Sequence, residues 1–349
     1  MMSPIRVMIA DDSPVAREVL RHLLTREGDI EVVGEACNGR EAVALARRLV
    51  PQLVTMDLTM PVMDGLAAID EIMHTKALPI LVVSERFEAP TAYRALELGA
   101  LEVIGKPTLA DTDATRLLER VRLLAGVAVI TRLRRRSALP CSPPPSAYQP
   151  PPRAFRRIVA IACSTGGPQA LARLLSRLPA DFLPPVVIAQ HISHGFIDGM
   201  AQWLASICHL PVSVARAGEF LKPGAVYLSP SESNLEVTFD HRFKLTPSPV
   251  GALYHPSCDT LLCSVAEVYG SDAIGVIMTG MGRDGVQGMR AIRQAGGATL
   301  AQDEESSVIY GMNQEAVNAG VVQRVVSLDE LPELLLHTLC VRSLSRSSS

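Results

Sequence analysis

Two sets of residues in this chain have the types and spacing for chemistry. In the first, Asp11 and Asp12 follow the apolar run IRVMIA, Asp57 follows LVTM, Ser84 follows ILVV, and Lys106 sits in GKP. Three carboxylates brought together repel one another and call for a cation, and an all-oxygen set of this kind suits Mg²⁺. A hydroxyl, an ammonium and a divalent cation converging on one carboxylate can neutralise a phosphoryl group bound there. Asp57 is the candidate acceptor, with Asp11 and Asp12 as metal ligands. Asp12 or Asp64, taken alone, could equally be a helix cap.

The second set begins at IACSTGG, where an apolar run stops at Ser164 and continues as an apolar, helix-like stretch after Gly166 and Gly167. A serine at a strand-to-helix turn is exposed to a substrate and close to helix N–H groups, and the glycines would let a substrate backbone approach. Serine needs a base to become a nucleophile. The run PPVVIAQHISHGF offers His191 just past its end and His194 three residues later, and the strand-end position favours His191. In IGVIMTGMGRDGVQGM a third run ends at a glycine-rich turn containing Asp284, which could orient the histidine. The order Ser, His, Asp differs from that of α/β-hydrolases, and GxSxG is absent.

The same turn supports a rival reading. Gly280, Gly282 and Gly285 spell GxGxxG, and Asp303 follows where a ribose-binding acid would stand. Against it, the motif begins about seventy residues from the end, too few for a complete cofactor domain of the usual kind. It also leaves Ser164 and His191 without a role. A serine hydrolase, a dinucleotide enzyme and a non-catalytic output domain all remain open on these residues alone.

These side chains need elements to hold them. In the first part, Ile5–Ala10, Ile30–Glu35, Leu53–Met56, Ile80–Val83 and Leu101–Ile104 read as short strands alternating with helix-like stretches. That rhythm predicts an α/β fold, with a parallel sheet covered on both faces and functional residues at the carboxyl ends of its strands. Near residue 125 the composition changes, and TRLRRRSALPCSPPPSAYQPPPR reads as a proline-stiffened linker. Its arginines, Arg132 to Arg136, could meet an acidic partner or a membrane surface, although a solubilising role is the simpler expectation. The expected organisation is a domain over 1–124, a linker over 125–154 and a second domain over 155–345.

The chain has 349 residues, 48% of them hydrophobic, and a formal net charge of −3, which argues against a general nucleic-acid binder. The opening apolar-rich run reaches aspartates too soon for a signal peptide or a membrane span, so no membrane insertion is expected. Seven cysteines show no CxxC or zinc-ligand spacing and read as reduced thiols of a cytoplasmic protein.

IADDS, MDLTMPVMDG, VVS and GKP resemble the signature set of the response-regulator receiver domain, across roughly residues 3 to 124. The resemblance implies a five-stranded doubly wound domain, phosphorylated on Asp57 by a histidine kinase with Mg²⁺ held by Asp11, Asp12 and Asp57. Ser84 would be the switch hydroxyl and Lys106 the family's lysine. Glu85, where a small residue is usual, and Val103, where an aromatic is frequent, depart from the pattern. Further on, ACSTGG, AQHIS, PGAVYLSP and TGMGRDG resemble the catalytic domain of the chemotaxis-type protein-glutamate methylesterases, over roughly residues 155 to 345. That similarity implies a second doubly wound, mostly parallel-sheet domain with the triad Ser164, His191 and Asp284, working without a cofactor. Thr165 would lie beside the nucleophile, and the Met281 N–H would help hold the oxyanion. Its implied substrates are glutamate methyl esters, and often glutamines, on methyl-accepting chemoreceptors. The family further implies a cytoplasmic enzyme recruited to membrane receptor clusters, whose unphosphorylated receiver limits access to Ser164.

Overall fold

A computed structural model describes residues 3–84, 89–127, 129, 156–248 and 255–341. The chain divides into two compact units, residues 1–140 and 141–349.

In the first unit the strands are β1 (Ile5–Ala10), β2 (Ile30–Ala36), β3 (Leu53–Met56), β4 (Ile80–Ser84) and β5 (Glu102–Gly105). They form one sheet in the order β2-β1-β3-β4-β5, and every pairing is parallel. Helices α1 (Pro14–Thr25), α2 (Gly39–Leu49), α3 (Gly65–Thr75), α4 (Ala89–Glu97) and α5 (Asp111–Leu124) follow their strands in turn. Central strands are unbroken apolar runs because both faces are covered: Val7, Met8, Ile9, Leu53, Val54 and Ile80 to Val82 are fully buried. Helix starts are fixed by side-chain caps. Ser13 caps α1, Asn38 caps α2 and Asp64 caps α3, so capping accounts for Asp64 but not for Asp12. The sequence-expected strand limits hold to within one residue, with β5 starting at Glu102 rather than Leu101.

The second unit contains β6 (Ile158–Cys163), α6 (Gly167–Leu175), β7 (Val186–Gln190), α7 (Ile197–Ile207), β8 (Val212–Val214) and β9 (Val226–Leu228). An antiparallel hairpin, β10 (Ser233–Val237) and β11 (Phe243–Pro247), comes next. The remaining elements are α8 (Cys258–Tyr269), β12 (Ala273–Ile277), α9 (Val286–Gln294), β13 (Ala298–Gln302), α10 (Met312–Asn318), β14 (Arg324–Val326) and α11 (Leu331–Val341). Seven strands form an all-parallel sheet in the order β14-β13-β12-β6-β7-β9-β8.

Strand β6 lies at the centre of this sheet and is buried at all six positions. The chain runs outward from β6 through β7 on one side and later builds β12 on the other. A crevice therefore opens at the carboxyl end of β6, where strand order reverses. The hairpin and α8 complete an apolar core that includes Ala162, Ala189, Leu235, Phe243, Leu262 and Met289. Both units are doubly wound α/β folds, as the sequence leads one to expect.

Candidate functional site

In the first unit, Asp11 and Asp57 directly follow β1 and β3, adjacent strands whose carboxyl ends bring them together. Both are buried, whereas Asp12 is exposed at the rim. One carboxylate oxygen from each of the three aspartates falls within 4.8 Å of the others. Lys106, just beyond β5, reaches across to Asp11 Oδ2 and Asp57 Oδ2, each at 2.9 Å. Ser84 ends β4, is fully buried, and its carbonyl accepts the Lys106 backbone N–H.

Burial pushes the Asp57 carboxyl up to about 6, and the neighbouring Asp11 charge adds to that rise despite the Lys106 hydrogen bond. For Lys106, burial works against the charged form, but its bonds to Asp57 and Asp11 prevail and raise it above the usual lysine value. One ammonium between two buried carboxylates leaves negative charge uncompensated, and this oxygen set fits a small, hard cation. Glu85 lies outside the described residues. Val103 is half-buried on β5 opposite Val82.

In the second unit, Ser164, His191 and Asp284 come from the carboxyl ends of three neighbouring strands, β6, β7 and β12. Cys163 pairs with Gln190 across β6 and β7, and the His191 N–H donates to the Cys163 carbonyl at 3.0 Å, which sets Ser164 beside His191. On the other side the Ser164 N–H donates to the Thr279 carbonyl at 3.0 Å. All three triad candidates are buried. The imidazole Nε2 lies 2.8 Å from Asp284 Oδ2. His194 stands apart: it is half-buried and faces Glu232 at 3.5 Å.

Asp284 is held by more than the histidine. It also accepts the backbone N–H groups of Cys258 at 2.7 Å and Asp259 at 2.9 Å, at the N-terminus of α8. Burial alone would raise its pKa, but the His191 bond and these two amides outweigh burial and hold it below the ordinary carboxylate range. Asp259 returns the arrangement. Its carboxylate accepts the N–H groups of Gly285 at 2.9 Å and Gly288 at 2.8 Å, at the start of α9. Each aspartate therefore caps the other's helix, and the turn bearing Asp284 is tied to α8 from both sides.

This geometry removes the basis of the dinucleotide reading. The α9 N-terminus, where a pyrophosphate would sit, already holds the Asp259 carboxylate. Gly280 packs its backbone against Ser164, since a β-carbon there would fall 2.6 Å from the Ser164 β-carbon. Gly285 has φ +102°, which the tight turn requires. Asp303 accepts the Ser306 N–H at 3.0 Å, within a local turn.

The two glycines after Ser164 also need a different account from substrate clearance. A β-carbon on Gly167 would lie 1.9 Å from Gln190 Oε1, and one on Gly166 would lie 2.5 Å from Val308. The protein's own side chains fill that space. Gln190 then uses Nε2 to donate to the carbonyls of Ser164 and His191, both at 2.8 Å. This buried amide links the nucleophile's strand to the base's strand. Thr165 is buried and its carbonyl accepts the Thr279 hydroxyl at 2.9 Å, whereas Met281 is exposed on the turn after β12.

Sequence reasoning missed Gln190, Asp259 and Cys258, whose Sγ lies 3.4 Å from His191 Nε2. Gln190 has a visible signal, a polar residue ending an apolar strand directly before the histidine. Asp259 and Cys258 lie in a segment with no strand-end signal, and only the packing of α8 against β6 and α9 brings them to the site.

Comparison with known proteins agrees with this architecture. Residues 159–335 match the CheB methylesterase model, and residues 7–122 match the response regulator receiver domain. A protein-glutamate methylesterase/protein-glutamine glutaminase of Paramagnetospirillum magneticum is 52% identical over 95% of this chain and 96% of its own length. The chain belongs to the CheB methylesterase family. A relative with the same description from Myxococcus xanthus is 45% identical over 95% of this chain and 96% of its own length. The CheB methylesterase catalytic domain of Thermotoga maritima is 35% identical, covering 53% of this chain and 99% of that one, with a TM-score of 0.52.

The folded first unit keeps a proton on Asp57 at pH values where an unfolded chain, titrating near about 4, has released it. The resulting stabilisation is full below about pH 4 and is lost as pH rises through about 6. Asp57→Asn should abolish that loss, on the order of 2 kcal/mol, as read by hydrogen exchange of β1 and β3 amides across this range. In the second unit, Asp259→Ala frees the Asp284 turn. It should lower kcat for ester hydrolysis by about 10- to 100-fold with little change in KM, and Asp259→Asn, which keeps an acceptor oxygen, should lose less.

Proposed function

We propose that this chain hydrolyses glutamate methyl esters on methyl-accepting chemoreceptors, and deamidates receptor glutamines, under control of phosphorylation at Asp57. The observation that carries the reading is the buried His191–Asp284 pair at 2.8 Å, set beside a serine at the end of the adjacent strand. Because Asp284 accepts the Nε2 proton, Nδ1 is the nitrogen that serves as base. Ser164 Oγ attacks the ester carbonyl carbon as its proton passes to Nδ1, and Asp284 supports the imidazolium. The Met281 N–H, with the N-terminus of α6, stabilises the tetrahedral oxyanion. Collapse breaks the C–O bond, and the imidazolium returns its proton to the leaving methoxide, releasing methanol. Water, deprotonated by the same nitrogen, then attacks the acyl-serine; the imidazolium returns that proton to Ser164 Oγ as its bond to the acyl carbon breaks, and a carboxylate remains. A glutamine side chain follows the same path with ammonia as leaving group.

In the first unit, a histidine kinase supplies the phosphoryl group to Asp57, with Mg²⁺ held by Asp11, Asp12 and Asp57. Bound there, the metal supplies charge neutralisation for the phosphoryl oxygens. Lys106 balances charge from the opposite side, and the Ser84 hydroxyl reports occupancy through β4. The family likeness and the linker also support autoinhibition, in which the unphosphorylated receiver restricts access to Ser164. Recruitment to receptor clusters is part of the same proposal; among the described residues no helix is long and apolar enough to cross a membrane.

Ser164→Ala and His191→Ala should each nearly abolish methyl-ester hydrolysis, with comparable losses because such residues act as a unit. Asp284→Asn should cost roughly 10⁴-fold, the figure for the corresponding change in a serine protease. His194→Ala should cost far less. Mass spectrometry of a methylated receptor, reading loss of the methyl group at defined glutamates, measures all four; near-normal turnover by Ser164→Ala would refute the nucleophile. For regulation, a chain lacking residues 1–150 should hydrolyse faster than the unphosphorylated full chain, and a folded truncation that is no faster would count against autoinhibition.

A further inference from the structure

Cys258 touches the catalytic pair, yet hydrolysis by Ser164 gives its thiol nothing to do. Its Sγ lies 3.4 Å from His191 Nε2, which in turn lies 2.8 Å from Asp284 Oδ2. One sulfur, one nitrogen and one carboxylate oxygen thus fall within 4.8 Å of one another. The three residues are 0%, 8% and 6% exposed. We propose that His191, Cys258 and Asp284 form a binding site for a borderline-soft divalent cation of the Zn²⁺ class, and that its occupancy switches the esterase off. The inhibitory half of this proposal rests on the triad reading; the binding half does not.

The donor set favours this ion class. Zinc takes thiolate, imidazole and carboxylate together, with three protein ligands leaving a fourth position open. Bonds of about 2.3 Å to sulfur and about 2.0 Å to nitrogen, at a tetrahedral angle, place those atoms about 3.5 Å apart, close to their present separation. Nitrogen and oxygen would move apart by about half an ångström as the metal replaces the proton they share. Mg²⁺ prefers the all-oxygen pocket of the first unit, so the two sites discriminate between hard and soft ions.

Charge accounting gives both a cost and its compensation. Burial, and then the neighbouring Asp284 charge, raise the Cys258 thiol well above its usual pKa, a cost that metal binding as thiolate must offset. A divalent ion brings two positive charges to a thiolate and a carboxylate and makes the site neutral. On binding, the thiol releases one proton to solvent, and the imidazole proton moves from Nε2 to Nδ1. Nδ1 then carries a hydrogen and cannot accept the Ser164 proton.

The test uses the full chain with excess Mg²⁺ to occupy the acidic pocket, and Co²⁺ as the spectroscopic probe. Wild type should develop a near-ultraviolet thiolate-to-cobalt charge-transfer band saturating at one equivalent, with one proton released per ion. Cys258→Val and Cys258→Ser should both lack the band while giving the circular dichroism of wild type. Ser164→Ala should keep it. Zn²⁺ should then slow wild-type ester hydrolysis by about tenfold or more, reversibly with a chelator, and alter the residual activity of either Cys258 variant by less than about twofold. No band in wild type, a band surviving in both folded Cys258 variants, or equal zinc inhibition in those variants would overturn the proposal. A Ser164→Ala chain that hydrolyses normally yet keeps the band would refute the nucleophile and leave the metal site standing.

Discussion

The second unit depends on one constraint: the Asp284 carboxylate is buried and must remain charged. An ionised carboxyl out of water is tolerable only when its oxygens are fully engaged. Here the partners are the His191 ring, two amides at the start of α8, and the Ser257 hydroxyl at 3.3 Å. Supplying them dictates much of the architecture. Helix α8 must point its N-terminus at the turn after β12, and α9 must start where Asp259 can accept its first amides. Gly288 lets the two helices meet, since a β-carbon there would lie 2.3 Å from the Leu262 β-carbon.

The two units treat acidic groups at strand ends in opposite ways. In the second, donors outnumber charge and Asp284 is held below the ordinary carboxylate range, a constant anion 2.8 Å from the His191 ring. In the first, two buried carboxylates share a single lysine and Asp57 is pushed up to about 6. The proposal of a cation and a phosphoryl group at this pocket rests on that shortage of positive charge. Similar topology thus supports an anion fixed by the fold in one unit and an under-neutralised pair of buried carboxylates in the other.

Much of this was legible in the sequence because parallel sheets buried on both faces require unbroken apolar runs, and their functional residues fall just past the run ends. Asp11, Asp57, Ser84, Ser164 and His191 all follow that rule, as does the doubly wound class of each unit. The hairpin β10–β11 and strands β8, β9, β13 and β14 lie outside the sequence-based expectations, since none carries a long unbroken apolar run. Asp259, Cys258 and the filling of the Gly166–Gly167 space by Val308 and Gln190 depend on contacts between segments far apart in the chain. Local pattern is silent about these. Taken locally it even favours a cofactor loop at Gly280–Gly285, a reading the chain length already weakens and the Asp259 carboxylate in the α9 N-terminus removes.

If Asp284 takes the Nε2 proton of His191, the base is Nδ1. Nitrogen-15 NMR of histidine-labelled protein at neutral pH, with His191 assigned by substitution, reads the tautomer directly. The expected result is a protonated Nε2 with its hydrogen shifted downfield, an unprotonated Nδ1, and loss of that downfield signal in Asp284→Asn. A proton resident on Nδ1, or a downfield signal unchanged in Asp284→Asn, would contradict it.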